Sequence, residues 1–389
     1  MDTLTAPRLL LGDELVADGW VQIADGVVVA SGSGAPPSTV TLALPTGTLA
    51  PGLIDVQLNG AFGHDLVSAD AQGWAEVQAR LPSTGVTAFV PTFITAAIDE
   101  LAAALLRTRP VRAGLRDAAG ARDLGVHLEG PFLATGRRGA HRAEHLVDPT
   151  ASSIDALLQA AAGELLYVTL APERPGAMAA IAQLRAAGVR VAVGHSDATD
   201  AEVRAAADAG ATLVTHLYNA QRGLGHRDPG VVGAALTDPR LTAGIIVDLH
   251  HVASTAVQVA FSAAAGRLML VTDAVAAMGM PPGSYDLGGV ELIVADGQPP
   301  RRADGTIAGS ALRLDVAIAN TIACGVDPAT ALVAATRVPA DALGHPELGR
   351  LSPGATADLV WLDDRWRAAA TWVDGRLVHG PPTPTGVAR

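Results

Sequence analysis

Short apolar runs rich in β-branched residues recur through the middle of the chain. They are GLIDVQL from Gly52, VTAFVPT from Val86, LGVHLEG from Leu124, LLYVTLA from Leu165, VRVAVGH from Val189, TLVTHL from Thr212, AGIIVD from Ala243 and LMLVTDA from Leu268. Their apolarity is nearly continuous rather than alternating, which predicts strands covered on both faces. Between most of them lie Ala- and Leu-rich amphipathic stretches such as AMAAIAQLRAAG (177–188) and AEVRAAADAG (201–210). Each closes on glycine, the usual stop signal of a helix. Eight such units predict a (β/α)8 TIM-type barrel over residues 51–344. A doubly wound open sheet is the alternative. The number of units and the lack of a glycine-rich loop after the first strand argue against it.

The two ends follow another rule. WVQIADGVVVASG near the start, and ADLVWLDD and RAAATWVDGRLVHG near the end, read as strand–turn–strand with Asp-Gly turns. Residues 1–50 and 345–389 are therefore expected to form one small β-sandwich domain completed by both termini.

Composition narrows the function classes. The 389 residues are 49% hydrophobic and 17% charged, enough to bury a large core. The formal net charge of -12 disfavours binding to nucleic acid or to anionic membrane surfaces. No run approaches a membrane span and the start lacks a signal-peptide pattern, so a cytoplasmic protein is expected. Cys324 is the single cysteine, which rules out an internal disulfide; it reads as a small buried hydrophobe. Lysine is absent altogether.

Polar residues gather at the carboxyl ends of the apolar runs: Asp55, Gln57, Glu129, Glu173, His195, His216, Asp248 and Asp273. That end of a barrel is where its enzymes keep their active sites. Glu129, His195 and His216 end the third, fifth and sixth runs and form a set suited to one catalytic divalent ion. Zinc is the first choice, with iron(II) or another divalent ion able to use the same ligands. Asp273 suits a general base beside such an ion, or else the N-cap of a following helix. His141, Asn219, Arg227 and His251 fall in loops that could hold a polar, anionic substrate, arginine being a natural partner of phosphate. His127 shares a strand face with Glu129 and could support it. His64, His145, His226, His250, His345 and His379 read as structural or surface residues.

In this order, PGLIDVQLNG, GVHLEGPFL with GAH, VGHSDA, VTHLYNA, HRDPG, DLHHV, LVTDA and DGTIAGSAL resemble the N-acetylglucosamine-6-phosphate deacetylase family of the amidohydrolase superfamily. The closing GRLSPGATADLVWLD is shared by many amidohydrolases. The resemblance covers nearly the whole chain. It implies hydrolysis of N-acetyl-D-glucosamine 6-phosphate to D-glucosamine 6-phosphate and acetate. It implies Glu129, His195 and His216 as metal ligands, Asp273 as catalytic acid/base, and His141 at the acetamide carbonyl. Ala140, Asn219, Ala220, Arg227 and His251 would contact the sugar phosphate, with Ile307, Ala308 and Gly309 lining the site by their backbone. It further implies a homodimer in which Arg227 reaches a neighbouring subunit's substrate. The alternatives are another amidohydrolase, acting on an N-acyl amino sugar, an N-acyl amino acid or a cyclic amide, and a barrel that only binds its ligand. Gln57-Leu58-Asn59 stands where many amidohydrolases carry His-x-His, so one metal per subunit is expected. The absence of lysine excludes a carboxylated-lysine bridge. In DLHHV, Leu249 stands where the family usually has a small residue (Asp-Gly-x-His).

Overall fold

The chain is described by a computed structural model over residues 1–381; residues 382–389, the end of the carboxyl-terminal segment assigned above to the small domain, lie outside the described residues. The eight apolar runs form the eight strands of a parallel barrel. These are β1 (Leu53–Leu58), β2 (Val86–Ile94), β3 (Val126–Glu129), β4 (Leu165–Leu170), β5 (Arg190–Val193), β6 (Leu213–Val214), β7 (Thr242–Ile245) and β8 (Leu268–Leu270). Each pairs in parallel with its sequence neighbour, from β1 to β8. Every residue of β1 and β2 is buried, which accounts for the unbroken apolarity of those runs.

The two helices read from their glycine stops end where expected. The helix Asp200–Ala209 opens on Thr199 with a reciprocal cap to Glu202 and closes on Gly210 at φ +119°. The helix Ala177–Ala186 is followed by Gly188 at φ +79°. Cys324 is buried at the carboxyl end of the helix Leu314–Ala323.

β8 and β1 close the barrel without a regular ladder. At the carboxyl rim, Asp273 N–H donates to the Gln57 carbonyl (2.9 Å) and Asn59 N–H to the Ala274 carbonyl (2.8 Å). At the opposite end, the turn between the helices Pro328–Val333 and Arg337–Leu343 fills the gap. There Ile54 N–H reaches the Ala335 carbonyl (2.9 Å) and Leu270 N–H the Ala334 carbonyl (2.8 Å).

Both chain ends enter one sheet. Its strands run in the order Arg376–His379, Ala368–Val373, Leu359–Leu362, Thr48–Pro51, Asp2–Leu11, Glu14–Ala24 and Val27–Ser33, with Leu42–Ala43 added beside Asp2–Leu11. The sheet curls until its last strand meets the segment before Leu359. Val28 N–H donates to the Ala355 carbonyl and Ala357 N–H to the Gly26 carbonyl, both at 2.8 Å. The enclosed core includes Leu9, Val21, Leu49, Leu359 and Trp372.

The longest of the strand pairs additional to those expected from the sequence covers the barrel rim. Gly283–Leu287 and Val290–Val294 form an antiparallel ribbon in the long connection after β8. Its turn is Gly288-Gly289, both at positive φ (54° and 81°), a hairpin signal that the sequence does display. Leu287 and Leu292 pack with Ile94, Val275 and Ala308 over the barrel rim.

At the other end of the barrel, Arg112 is buried between Asp123 and Glu164, with contacts of 2.9 Å to Asp123 Oδ1 and 2.7 Å to Glu164 Oε2. It ties the helix Ile98–Gly114 to the segments leading into β3 and β4. Removing it leaves the mostly buried Asp123 carboxylate without its counter-charge, Glu164 keeping Arg116 at 2.8 Å, and such a loss typically costs about 3–5 kcal/mol. Arg112→Ala is expected to lower the unfolding free energy by about that amount, measured by urea titration. Far-UV circular dichroism of the folded variant should be unchanged.

Candidate active site

The barrel places four titratable groups against one another at its carboxyl rim. Glu129 is the last residue of β3, whereas His195 and His216 lie two residues beyond β5 and β6, and Asp273 three beyond β8. His195 (φ 47°), His216 (29°) and Asp273 (48°) all adopt the left-handed backbone conformation. For a residue with a Cβ that costs roughly 1–3 kcal/mol, and it turns the chain sharply as it leaves the strand. No helix follows Asp273, so the N-cap alternative does not hold.

Glu129 Oε1 lies 2.9 Å from His216 Nε2 and 3.0 Å from His195 Nε2, and those two nitrogens are 3.0 Å apart. His141 Nε2 approaches His195 Nε2 at 3.2 Å and Glu129 Oε1 at 4.0 Å, so four groups converge rather than three. Hydrogen bonding tells them apart. His195 Nδ1–H donates to the Arg137 carbonyl (2.8 Å), leaving a lone pair on Nε2 aimed at the Glu129 carboxylate. His141 Nδ1 lies 2.8 Å from the Thr95 hydroxyl, whose own proton goes to the Glu129 carbonyl (3.1 Å), and its Nε2 faces His195 Nε2. The His195 and His216 Nε2 atoms face each other at 3.0 Å beside a buried carboxylate oxygen, an arrangement that fits a divalent ion held by Glu129, His195 and His216 with His141 next to it. A grouping of Glu129, His141 and His195 is also tight enough for a metal.

The surroundings shift these groups in opposite directions. Burial would raise the Glu129 carboxyl, but the His195 and His216 rings facing it prevail and hold it well below its ordinary range. Burial and then the nearby Glu129 charge push Asp273 up to about 7. Asn59 Nδ2 (2.7 Å) and Gln57 Nε2 (3.2 Å) both donate to Asp273 Oδ1, and Gln57 Nε2 also reaches Glu129 Oε2 (3.3 Å). The amides that replace a second ligand pair thus brace the two carboxylates. Burial and the neighbouring His195 push His141 down to about 3. His127, likewise pushed down to about 3 by burial, stacks on Tyr167 and lies between the Thr92 and Thr169 hydroxyls (3.1 and 2.7 Å) beneath the cluster.

A cavity of about 370 Å³ opens over the cluster. Of the residues singled out in the sequence, its wall includes Ala140, His141, Asn219, Ala220, His251, Asp273, Ile307, Ala308 and Gly309 together with Glu129, His195 and His216. The segment 307–310 lies against the extension of β8, with Ser310 N–H on the Asp273 carbonyl (2.8 Å). A Cβ at Gly309, φ 58°, would stand 2.5 Å from Val275 Cγ1, so this close approach needs glycine. Asp248 accepts His251 Nδ1–H (2.7 Å) and does not enter the cavity wall. Glu173 turns away to Ser196 and the Asp197 N–H.

Arg227 is exposed and does not line this chain's cavity, which is compatible with its expected reach toward a neighbouring subunit. Two placements differ from the sequence reading. His250, read as structural or surface, does line the cavity, and so does Arg137, which had no assigned part. A two-histidine loop sequence was the available signal for His250. Leu249 sits at φ 65° and is 45% exposed, a backbone state that glycine would adopt without strain.

A parallel (β/α)8 barrel with a buried carboxylate–imidazole centre at its rim defines the class of metal-dependent barrel hydrolases. Comparison with known proteins takes the assignment further. The amidohydrolase family model matches residues 48–378. N-acetylgalactosamine-6-phosphate deacetylase of Escherichia coli O157:H7 is 38% identical over 96% of this chain and 98% of that one. N-acetylglucosamine-6-phosphate deacetylase of Vibrio furnissii is 36% identical over 97% and 95%. A solved structure of N-acetyl-D-glucosamine-6-phosphate deacetylase from Mycobacterium smegmatis, in complex with N-acetyl-D-glucosamine-6-phosphate, superposes with a TM-score of 0.91 at 40% identity, covering 97% of this chain and 99% of that one. The chain belongs to the amidohydrolase family and, within it, to the N-acetylglucosamine-6-phosphate deacetylases.

Asp55, on β1, anchors the loop that carries Asp273 by accepting from Thr272 Oγ1 (2.5 Å) and Thr272 N–H (3.2 Å). Burial pushes its carboxyl up to about 6 from an ordinary 3.8. A pKa raised in the folded state gives stability that is present below about pH 4 and lost as pH rises through 6. The stability difference between wild type and Asp55→Asn is therefore expected to shift against wild type by on the order of 3 kcal/mol from pH 4 to pH 7. Urea titrations across that range check it, and a flat difference refutes the shift.

Proposed function

We propose that the chain hydrolyses N-acetyl-D-glucosamine 6-phosphate to D-glucosamine 6-phosphate and acetate. The observation that carries this is the joint presence of a carboxylate–imidazole cluster fit for one divalent ion, a buried carboxylate beside it and a further histidine, all on one wall of a sugar-sized cavity. Family membership and the substrate-bound Mycobacterium smegmatis relative support the choice of sugar phosphate. The Escherichia coli relative makes N-acetylgalactosamine 6-phosphate the second substrate to test.

Glu129, His195 and His216 would hold the ion, zinc being the first choice among divalent metals with nitrogen and oxygen ligands. When bound, it supplies Lewis acidity that makes water acidic near neutral pH and polarises an amide carbonyl. Asp273 keeps Oδ1 on the Asn59 and Gln57 amides and has Oδ2 left to take the proton from the attacking water. The same carboxyl returns the proton to the leaving amine nitrogen as the C–N bond breaks. His141, with Nε2 facing the cluster, is placed to stabilise the acetamide oxygen as negative charge develops there. Ala140, Asn219, Ala220, His251 and the backbone of Ile307, Ala308 and Gly309 orient the sugar. Arg227, exposed and outside this cavity, suits a contact with the substrate of a second subunit, so the working assembly is a homodimer. Among the described residues no helix is long and apolar enough to cross a membrane. A cytoplasmic site of action suits the proposed metabolite substrate.

Acetate release from N-acetylglucosamine 6-phosphate, run beside N-acetylglucosamine on protein of known metal content, tests the proposal. Fast release that depends on the phosphate, with one metal per chain, is the expected result; no release with metal present overturns the substrate. Asp273→Asn is expected to lower kcat by roughly 10²–10⁴ while dialysed protein keeps its metal. Near-normal turnover would remove Asp273 from the chemistry. Glu129→Gln is expected to lose the metal itself, read by elemental analysis.

A further inference from the structure

One side of the cavity wall is apolar. Ile94, Leu287 and Ala308 belong to a single packed cluster with Ala140 against it, and all four line the cavity. This patch adjoins His141. Ala140 precedes that histidine in the chain, and Thr95, which follows Ile94, places its hydroxyl 2.8 Å from His141 Nδ1. Of the wall's other apolar side chains, Ala220 and Ile246 follow β6 and β7, across the ring from β2, and Ile307 stands outside the packed cluster.

Leu287 reaches the wall on the ribbon inserted after β8, not on a barrel strand. The turn of that ribbon is seated on the patch. A Cβ at Gly288, φ 54°, would stand 2.8 Å from Ile94 Cγ1, so the approach needs glycine. Gly288 N–H donates to Asp65 Oδ2 (3.2 Å), and Ser68 Oγ–H donates to the same oxygen (3.1 Å). Asp65 is buried, so the turn is pinned to the loop after β1. Leu287, 4% exposed, is thereby held against Ile94 as part of the wall.

The carbonyl carbon of an N-acyl amino sugar carries three groups in one plane. Its oxygen belongs at the Glu129–His195–His216 cluster beside His141, and its nitrogen carries the sugar. The acyl chain takes the direction that remains. It is the one group of the three that makes no hydrogen bond, so an apolar surface suits it and a polar one does not. We propose that Leu287, with Ile94 and Ala308, forms the acyl pocket and limits the acyl group to the size of acetyl, so that the ribbon sets acyl-chain length. This rests on the deacetylase function proposed above.

Glucosamine 6-phosphates bearing N-formyl, N-acetyl, N-propionyl and N-butyryl groups test the pocket, with release of each acid measured on metal-loaded full-length protein. Wild type should lose on the order of tenfold in kcat/KM from acetyl to propionyl, the penalty for one methylene that an apolar pocket cannot hold. Leu287→Ala opens room for longer chains and should raise the butyryl-to-acetyl ratio of kcat/KM on the order of tenfold. Leu287→Phe narrows the pocket and should raise the formyl-to-acetyl ratio by a similar factor. Metal content should match wild type in both variants. Loss of folded protein lowers all four substrates alike, so ratios that move in opposite senses in the two variants report on the pocket itself. Unchanged ratios in both variants, or equal hydrolysis of the propionyl and acetyl compounds by wild type, would overturn the pocket and leave the deacetylase function standing. No acid released from any of the four by metal-loaded wild type would overturn the deacetylase function, and the pocket with it.

Discussion

The charge balance around Glu129 Oε1 is the constraint on which the rest of the site depends. One buried carboxylate oxygen has two imidazole nitrogens within 3.0 Å, and one of those nitrogens carries a lone pair because its other face is committed to the Arg137 carbonyl. Such an arrangement is unfavourable in a dry interior unless a positive charge joins the three atoms. The neighbouring groups answer that same charge. Asp273 is raised by burial and by Glu129, and the amides of Gln57 and Asn59 share out the remaining acceptors.

Geometry at the strand ends is the companion requirement. A strand that ran straight past the rim would alternate its side chains between barrel interior and helix layer. Left-handed residues at His195, His216 and Asp273 break that alternation at the positions where chemistry is needed. The local strain is sustained by the bonds around it, such as Ser196 N–H to the Ala220 carbonyl and Ser310 N–H to the Asp273 carbonyl.

Much of this was legible in the sequence, for identifiable reasons. A strand buried on both faces leaves a continuous apolar run, and a polar residue at its end stands out against it, as Glu129 and Asp273 do. Features that depend on where loops travel were not legible. Arg227 and His251 both follow barrel strands, yet one leaves the cavity and the other lines it. His250 looked like any surface histidine until the Asp248-braced loop placed it on the wall. The Gly283–Leu287 and Val290–Val294 ribbon was legible in its Gly-Gly turn, but the search for βα units passes over a hairpin inserted after the last strand.

The seam between β1 and β8 ties fold and site together on a timescale. At the rim it consists of three amide bonds, from Asp273, Asn59 and Gly60, so one of those amides belongs to Asp273. The barrel's last stitch and its proposed proton-transfer group are thus the same residue. A fluctuation that parts the first and last strands also displaces that carboxyl from the Gln57 and Asn59 amides, so an opened barrel cannot remain competent. Exchange of the Asn59 and Asp273 amide protons with solvent therefore clocks the lifetime of the assembled site as well as that of the closed barrel.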